Sequence, residues 1–332
     1  MNPLHPPPET PTDAHSGLGY RPGPHRVALF AAIFTWPLLL VGGTVTVFRV
    51  GMAVPDWPTT FGINMFLYRF WSASWGVFIE HGHRLYGSAV GLACIVLAGW
   101  FAVAERRPWM KGLGAFALIA VIAQGFLGGY RVRYNSTNLA FIHGCSAQAF
   151  FALMVTLCVL TGRDWACAPK GRPDPARLRR RAAVTLALIS AQIVAGAWLR
   201  HYGSTEALIT HALLATAVGG HALLLAGMVE RNRATISELV PSARALGLAV
   251  LLQVVLGVAA WWVLRPFDGI PRAVTSPQAL IRIGHQGVGA LLLASAVVLT
   301  LKAFRMLTSV ARAEEAGPAL TSSSLRDLEA VA

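Results

Sequence analysis

Apolar residues are gathered into eight runs of about 20 residues, separated by short polar or charged segments. The runs lie near Val27–Phe48, His83–Ala104, Gly112–Tyr130, Leu139–Thr161, Ala182–Leu199, Ala207–Val229, Arg244–Leu264 and Leu280–Leu301. A run of that length in helical form crosses the hydrocarbon core of a bilayer. The pattern predicts an all-α membrane protein with eight transmembrane helices. Four of the runs carry a histidine near their start: His83, His143, His211 and His285. Imidazole is costly in lipid unless it is paired or bound, so this recurrence at one depth requires a cause.

The runs also repeat one another. His83–Gly99 aligns without gaps with His211–Gly227, with 8 of 17 positions identical. At an offset of 68, Gln124, Gly128, Tyr134, Ser136, Thr137 and His143 match Gln192, Gly196, Tyr202, Ser204, Thr205 and His211. Membrane composition does not generate these polar matches. Gln253 and Gly257, followed by His285, continue the series. Such periodicity means one structural unit used several times. The unit is a helical hairpin with a Gln and small residues on the rising helix and a His at the outer end of the descending one. Four hairpins give two pseudo-symmetric four-helix bundles, residues 27–161 and 182–301. Residues 162–181 form a basic linker, 1–26 a disordered N-terminal segment and 302–332 a flexible tail.

Composition fits this reading: 55% of the 332 residues are hydrophobic and 13% charged. The net charge of +13 suggests nucleic acid at first sight, but 19 of the 28 Lys and Arg residues fall before the first run, in alternate loops, or after the last. The positive-inside rule then places both termini and the linker in the cytoplasm and the four histidines toward the outer face of a cell membrane, with the bilayer and not nucleic acid as the partner. The first run has no basic leader before it and no clear cleavage site after it, so it reads as a retained span. Cys94, Cys145 and Cys158 fall within spans and Cys167 in the linker. With no CxxC or CxxCH, covalent c-type haem attachment and common zinc spacings are excluded.

Axial ligation of haem iron from facing helices is the simplest reason for four histidines at one depth. His83 pairs with His143 in the first bundle and His211 with His285 in the second. His221, ten residues further along its span, reads as a buried hydrogen-bonded residue, and His81 and His201 as solvated interfacial ones. Glu80 shares a helical face with His83. Its counterpart 128 residues on is Leu208, so the acid breaks the symmetry beside one histidine pair. Glu80 therefore reads as a catalytic acid, against the plainer role of an interfacial partner for Arg84 or Arg69. A di-iron centre would need a second Glu-x-x-His and more glutamates, which the other spans lack.

The stretch Glu80-His81-Gly82-His83-Arg84 resembles the signature that opens the second span of the haem A synthases. Gly42-Gly43-Thr44 followed by Gly51, Asp56-Trp57-Pro58 and Gly62 resembles the first outer segment of the same family. The likeness extends over roughly residues 27–301. It implies an oxidoreductase that converts the C8 methyl of haem O to a formyl group by successive monooxygenase-type hydroxylations, for assembly of a terminal oxidase. In that case Glu80 is needed for catalysis, His83 and His143 ligate the substrate haem, and His211 and His285 ligate a haem b cofactor through its iron. Haem O synthase and oxidase assembly factors are the implied partners; the sequence names no electron donor and no oligomeric state. One departure stands out: residues 49–82 lack the cysteine pair that some members carry there. The competing function is a non-enzymatic di-haem b-type cytochrome, with two equivalent sites and no special place for Glu80.

Overall fold

A computed structural model describes residues 20–174, 177–264 and 274–308. Among these, eight helices are long and apolar enough to cross a membrane. The first four are α1 (Pro22–Val47), α2 (Trp75–Ala104), α3 (Pro108–Arg133) and α4 (Thr137–Thr161). A single turn, α5 (Arg163–Ala166), leads to α6 (Leu178–Tyr202), α7 (Thr205–Arg231), α8 (Val240–Leu264) and α9 (Ser276–Met306). The protein is an all-α polytopic membrane protein.

The helices begin where their sequences supply a start. Proline occupies the first turn of α1, α3 and α9, where its missing N–H costs nothing. Ser136 and Ser204 cap α4 and α7 by accepting from the Leu139 and Ala207 amides, each at 3.2 Å. The Ser-Thr matches between the two hairpins are thus a shared capping turn. Thr275 and Gln278 form a capping box at the start of α9.

Neighbours in sequence pack side by side, and α1 closes on α4 while α6 closes on α9. The two groups meet where α1 and α4 lie against α9 and α6. One apolar cluster lies among α1, α2, α3 and α4, around Phe101, Met110, Met154 and Leu157. The other is centred on α6 to α9, around Ile189, Leu225, Leu246 and Leu299.

Several boundaries differ from the sequence reading. α1 begins at Pro22, inside the segment expected to be disordered; residues 1–19 lie outside the described residues. α2 begins at Trp75, so His83 lies in its third turn and not at its start. Helix formation needs only backbone hydrogen bonds, so it continues past the hydrocarbon edge that hydropathy detects. The linker is tied down: Arg172–Pro173 pairs in parallel with Leu307–Thr308, and Arg172 bonds Glu238 at 2.9 and 3.1 Å. The expected tail is still helical to Met306, and the tail beyond Thr308 lies outside the described residues.

Candidate functional site: four histidines and a buried acid

Each of the four histidines is seated on a glycine of the preceding long helix. A Cβ added at Gly42 would stand 3.1 Å from His83 Cε1, and one at Gly128 3.2 Å from His143 Cε1. The corresponding distances are 3.0 Å for Gly196 on His211 and 3.0 Å for Gly257 on His285. Only a residue without a side chain lets an imidazole lie this close to the neighbouring backbone. The repeated glycines were legible in the sequence as a small-residue face; that each one seats a histidine was not.

Glutamine side chains one turn deeper hold two of the rings. The Gln192 amide lies 3.1 Å from His211 Nδ1, and the Gln253 amide 3.3 Å from His285 Nε2. The main chain of Gln124 reaches His143. The Gln192 amide also lies 3.4 Å from His211 Nε2 and donates to the His211 carbonyl at 3.0 Å. His83, His143 and His285 each bury an Nδ1 without a hydrogen-bond partner. Such atoms call for an occupant.

His211 and His285 face each other with ring centres 6.2 Å apart and planes at 78°. Two imidazoles that each reach one metal ion at ~2 Å have centres about this far apart. No group of three or more His, Cys, Asp or Glu that could hold a bare ion occurs among the described residues. Two neutral nitrogens suit iron that already has four equatorial donors, so this donor set fits a haem. His83 and His143 are close enough to interact electrostatically. They repeat the glycine seat in the first group of helices.

Glu80 is 1% exposed. Its Oε2 accepts from the Val54 amide at 2.8 Å and its Oε1 from Arg84 Nη2 at 3.0 Å. Arg84 also donates to the carbonyls of Val54 and Asp56, each at 2.7 Å, and of Thr59 at 3.2 Å. The pair therefore fastens the segment between α1 and α2 onto the helix that carries His83. Asp56 shapes that segment by accepting from the Phe61 amide at 2.8 Å and the Gly62 amide at 2.9 Å. Burial raises the Asp56 pKa, but these bonds and the Thr59 hydroxyl more than offset it, leaving the carboxyl below its ordinary value. Gly62 has φ +75°, which suits glycine in this turn. The Trp57 indole lies directly on Gly129 of α3 and closes the segment over the first group of helices.

The remaining histidines separate cleanly. His221 bonds the Thr185 hydroxyl at 3.0 Å, the hydrogen-bonded role expected of it. His201 is half-buried, with Phe141 edge-on at 6.4 Å. His81 departs from expectation: it is fully buried, bonds Thr60 Oγ1 at 3.0 Å and packs against Phe70 and Tyr68. The early start of α2 and the folded segment before it cover it, which hydropathy does not reveal.

Comparison with known proteins bears on this arrangement. The family model COX15-CtaA, described as cytochrome oxidase assembly protein, matches residues 64–208. A haem A synthase of Sphingopyxis alaskensis is 31% identical over 130 residues, covering 37% of this chain and 36% of that protein. The match thus spans about a third of the length of that curated relative. Residues 64–208, which carry Glu80, His83 and His143, are thus similar to the cytochrome oxidase assembly proteins of this family, and the likeness to haem A synthases read from the sequence is supported by both comparisons.

Proposed function

We propose that this chain is a membrane haem A synthase: an oxidoreductase that hydroxylates the C8 methyl of haem O successively to a formyl group for terminal oxidase assembly. The observation that carries the reading is an asymmetry. Both groups of helices present a pair of glycine-seated histidines, but among the described residues only the first adds a buried acid, Glu80, with Leu208 at the matching place in the second.

In this reading His83 and His143 hold substrate haem O in residues 27–161. His211 and His285 hold haem b in residues 182–301. Bound iron supplies the oxidising power that no side chain has. The chain's own work is to bind, orient and exclude water. The glycines fix the ring planes, the outer segment covers the site, and Glu80 places a carboxylate in a low-dielectric setting where it orders Arg84 and Val54 and can hold charge. Both termini lie in the cytoplasm, the haem sites face outward, and haem O synthase and oxidase assembly factors are the natural neighbours. The di-haem cytochrome reading gives Glu80 no task beyond fastening the segment between α1 and α2.

Co-expression with a source of haem O, followed by chromatography of extracted haems, tests the function. Haem A and a hydroxylated precursor are the expected products. Recovery of unchanged haem O alone from protein with both sites filled would sink the reading. The glycine seats make a separate prediction. Gly196→Val should displace the His211 ring and weaken haem b retention by about 10–100-fold, as loss of ligand orientation does elsewhere. Haem content of the purified variant checks it.

A further inference from the structure

Two arginines stand beside the His211 and His285 pair without a carboxylate to answer them. Arg200 lies in the last turn of α6, and Arg282 precedes His285 by three residues on α9. Arg200 is within electrostatic reach of both His285 and Arg282, and Arg282 of Arg49. Among the described residues neither Arg200 nor Arg282 forms an ion pair. Like charges gathered in a low-dielectric setting are unfavourable unless an anion joins them.

Arg200 is also held inward. An arginine near a helix end in a bilayer commonly extends its guanidinium toward the interface. Here the guanidinium donates to Gln286 Oε1 on α9. Gln286 is fixed in its turn. Its amide donates to the Leu39 carbonyl of α1 at 3.0 Å, and its side chain fills the place a Cβ at Gly43 would take. Arg282 precedes Gln286 by four residues and so shares its face of α9. Three helices thus bring two guanidinium groups together beside the turn that carries His285.

The first group of helices has no such pair. Val132, 3% exposed, stands 68 residues before Arg200, and Ala140 stands three before His143. Arg131, next to Val132, has the Glu80 carboxylate within electrostatic reach. The uncompensated pair is therefore particular to the second group and is no feature of the repeated hairpin.

Guanidinium groups favour carboxylate partners, which they bind through charge-assisted hydrogen bonds. A b-type haem carries two propionate carboxylates. We propose that Arg200 and Arg282 bind the propionates of the haem in the second bundle, with Gln286 as the residue that positions Arg200. This rests on the reading of His211 and His285 as the ligands of that haem.

Haem b and its dimethyl ester, in which both carboxylates are blocked, are the probes. Each is titrated into full-length protein purified without haem, and the low-spin Soret band is followed. Wild type should bind haem b about 10–100-fold more tightly than the diester, the range expected for charge-assisted bonds. Arg200→Gln and Arg282→Gln should each narrow that ratio, and the double variant should bind the two probes alike. Gln286→Leu should narrow it too, by releasing Arg200. A purely structural role for the arginines would weaken both probes together and leave the ratio unchanged, which overturns the proposal. So does a wild type that does not distinguish the probes, an arm that needs no variant to fold. Should haem b give no bis-imidazole spectrum in wild type, the ligands themselves are misread and the proposal falls with them. That result is distinct from bound haem b with no preference for its free carboxylates.

Discussion

Glu80→Gln is expected to stop formation of haem A from haem O while the haem b absorbance of the second bundle stays at the wild-type level. The amide keeps the shape of the side chain but neither its charge nor its capacity to take up a proton. Its oxygen still accepts from the Val54 amide, and only the contact with Arg84 turns unfavourable. Glu80→Ala is a harsher change. It leaves Arg84 without its buried counter-charge, and removing one partner of a buried pair costs about 3–5 kcal/mol in other proteins. The three carbonyls that Arg84 still holds soften that loss. Glu80→Ala should therefore lower the yield of folded protein as well as the activity, so the Gln variant is the decisive one. Glu80→Asp shortens the reach by one methylene and should leave little activity, because both carboxylate contacts depend on position. Conversion of haem O at the wild-type rate by Glu80→Gln would reduce the acid to a fastener of the segment between α1 and α2.

Loss of either facing imidazole should have a comparably large effect in the second bundle. His211→Ala or His285→Ala is expected to remove low-spin haem b from the purified protein, since one axial ligand cannot sustain bis-imidazole coordination. His221→Ala should keep that spectrum. His221 is ten residues deeper on α7 and is engaged by Thr185, whereas His211 and His285 face each other at 6.2 Å. A normal low-spin spectrum in His211→Ala would move the ligand elsewhere on α7.

Periodicity along the chain was enough for the eight spans and the turn shared by α3–α4 and α6–α7. These follow from local rules: a run of apolar residues buries backbone polarity only as a helix, and Ser136 and Ser204 satisfy the first free amides of the next one. The odd position of Glu80 was also visible, because absence of an acid at Leu208 needs no coordinates to see. Helix ends were less legible at α1, α2 and α9, where the chain stays helical beyond the apolar stretch.

What holds the site in shape was settled in three dimensions. The sequence shows glycines at 42, 128, 196 and 257, but a glycine's use depends on what approaches it, and here each is met by an imidazole from the adjacent helix. The clamp of Glu80 and Arg84 on Val54, Asp56 and Thr59 joins residues 25 to 30 apart through an irregular segment without periodicity. The burial of His81 depends on that same segment folding back. By itself the sequence determined which residues enter the membrane and which residue types recur at one depth, because those are properties of single helices. Only the tertiary structure decided which rings face each other and which are reached by a glutamine side chain, because those depend on the contacts between helices.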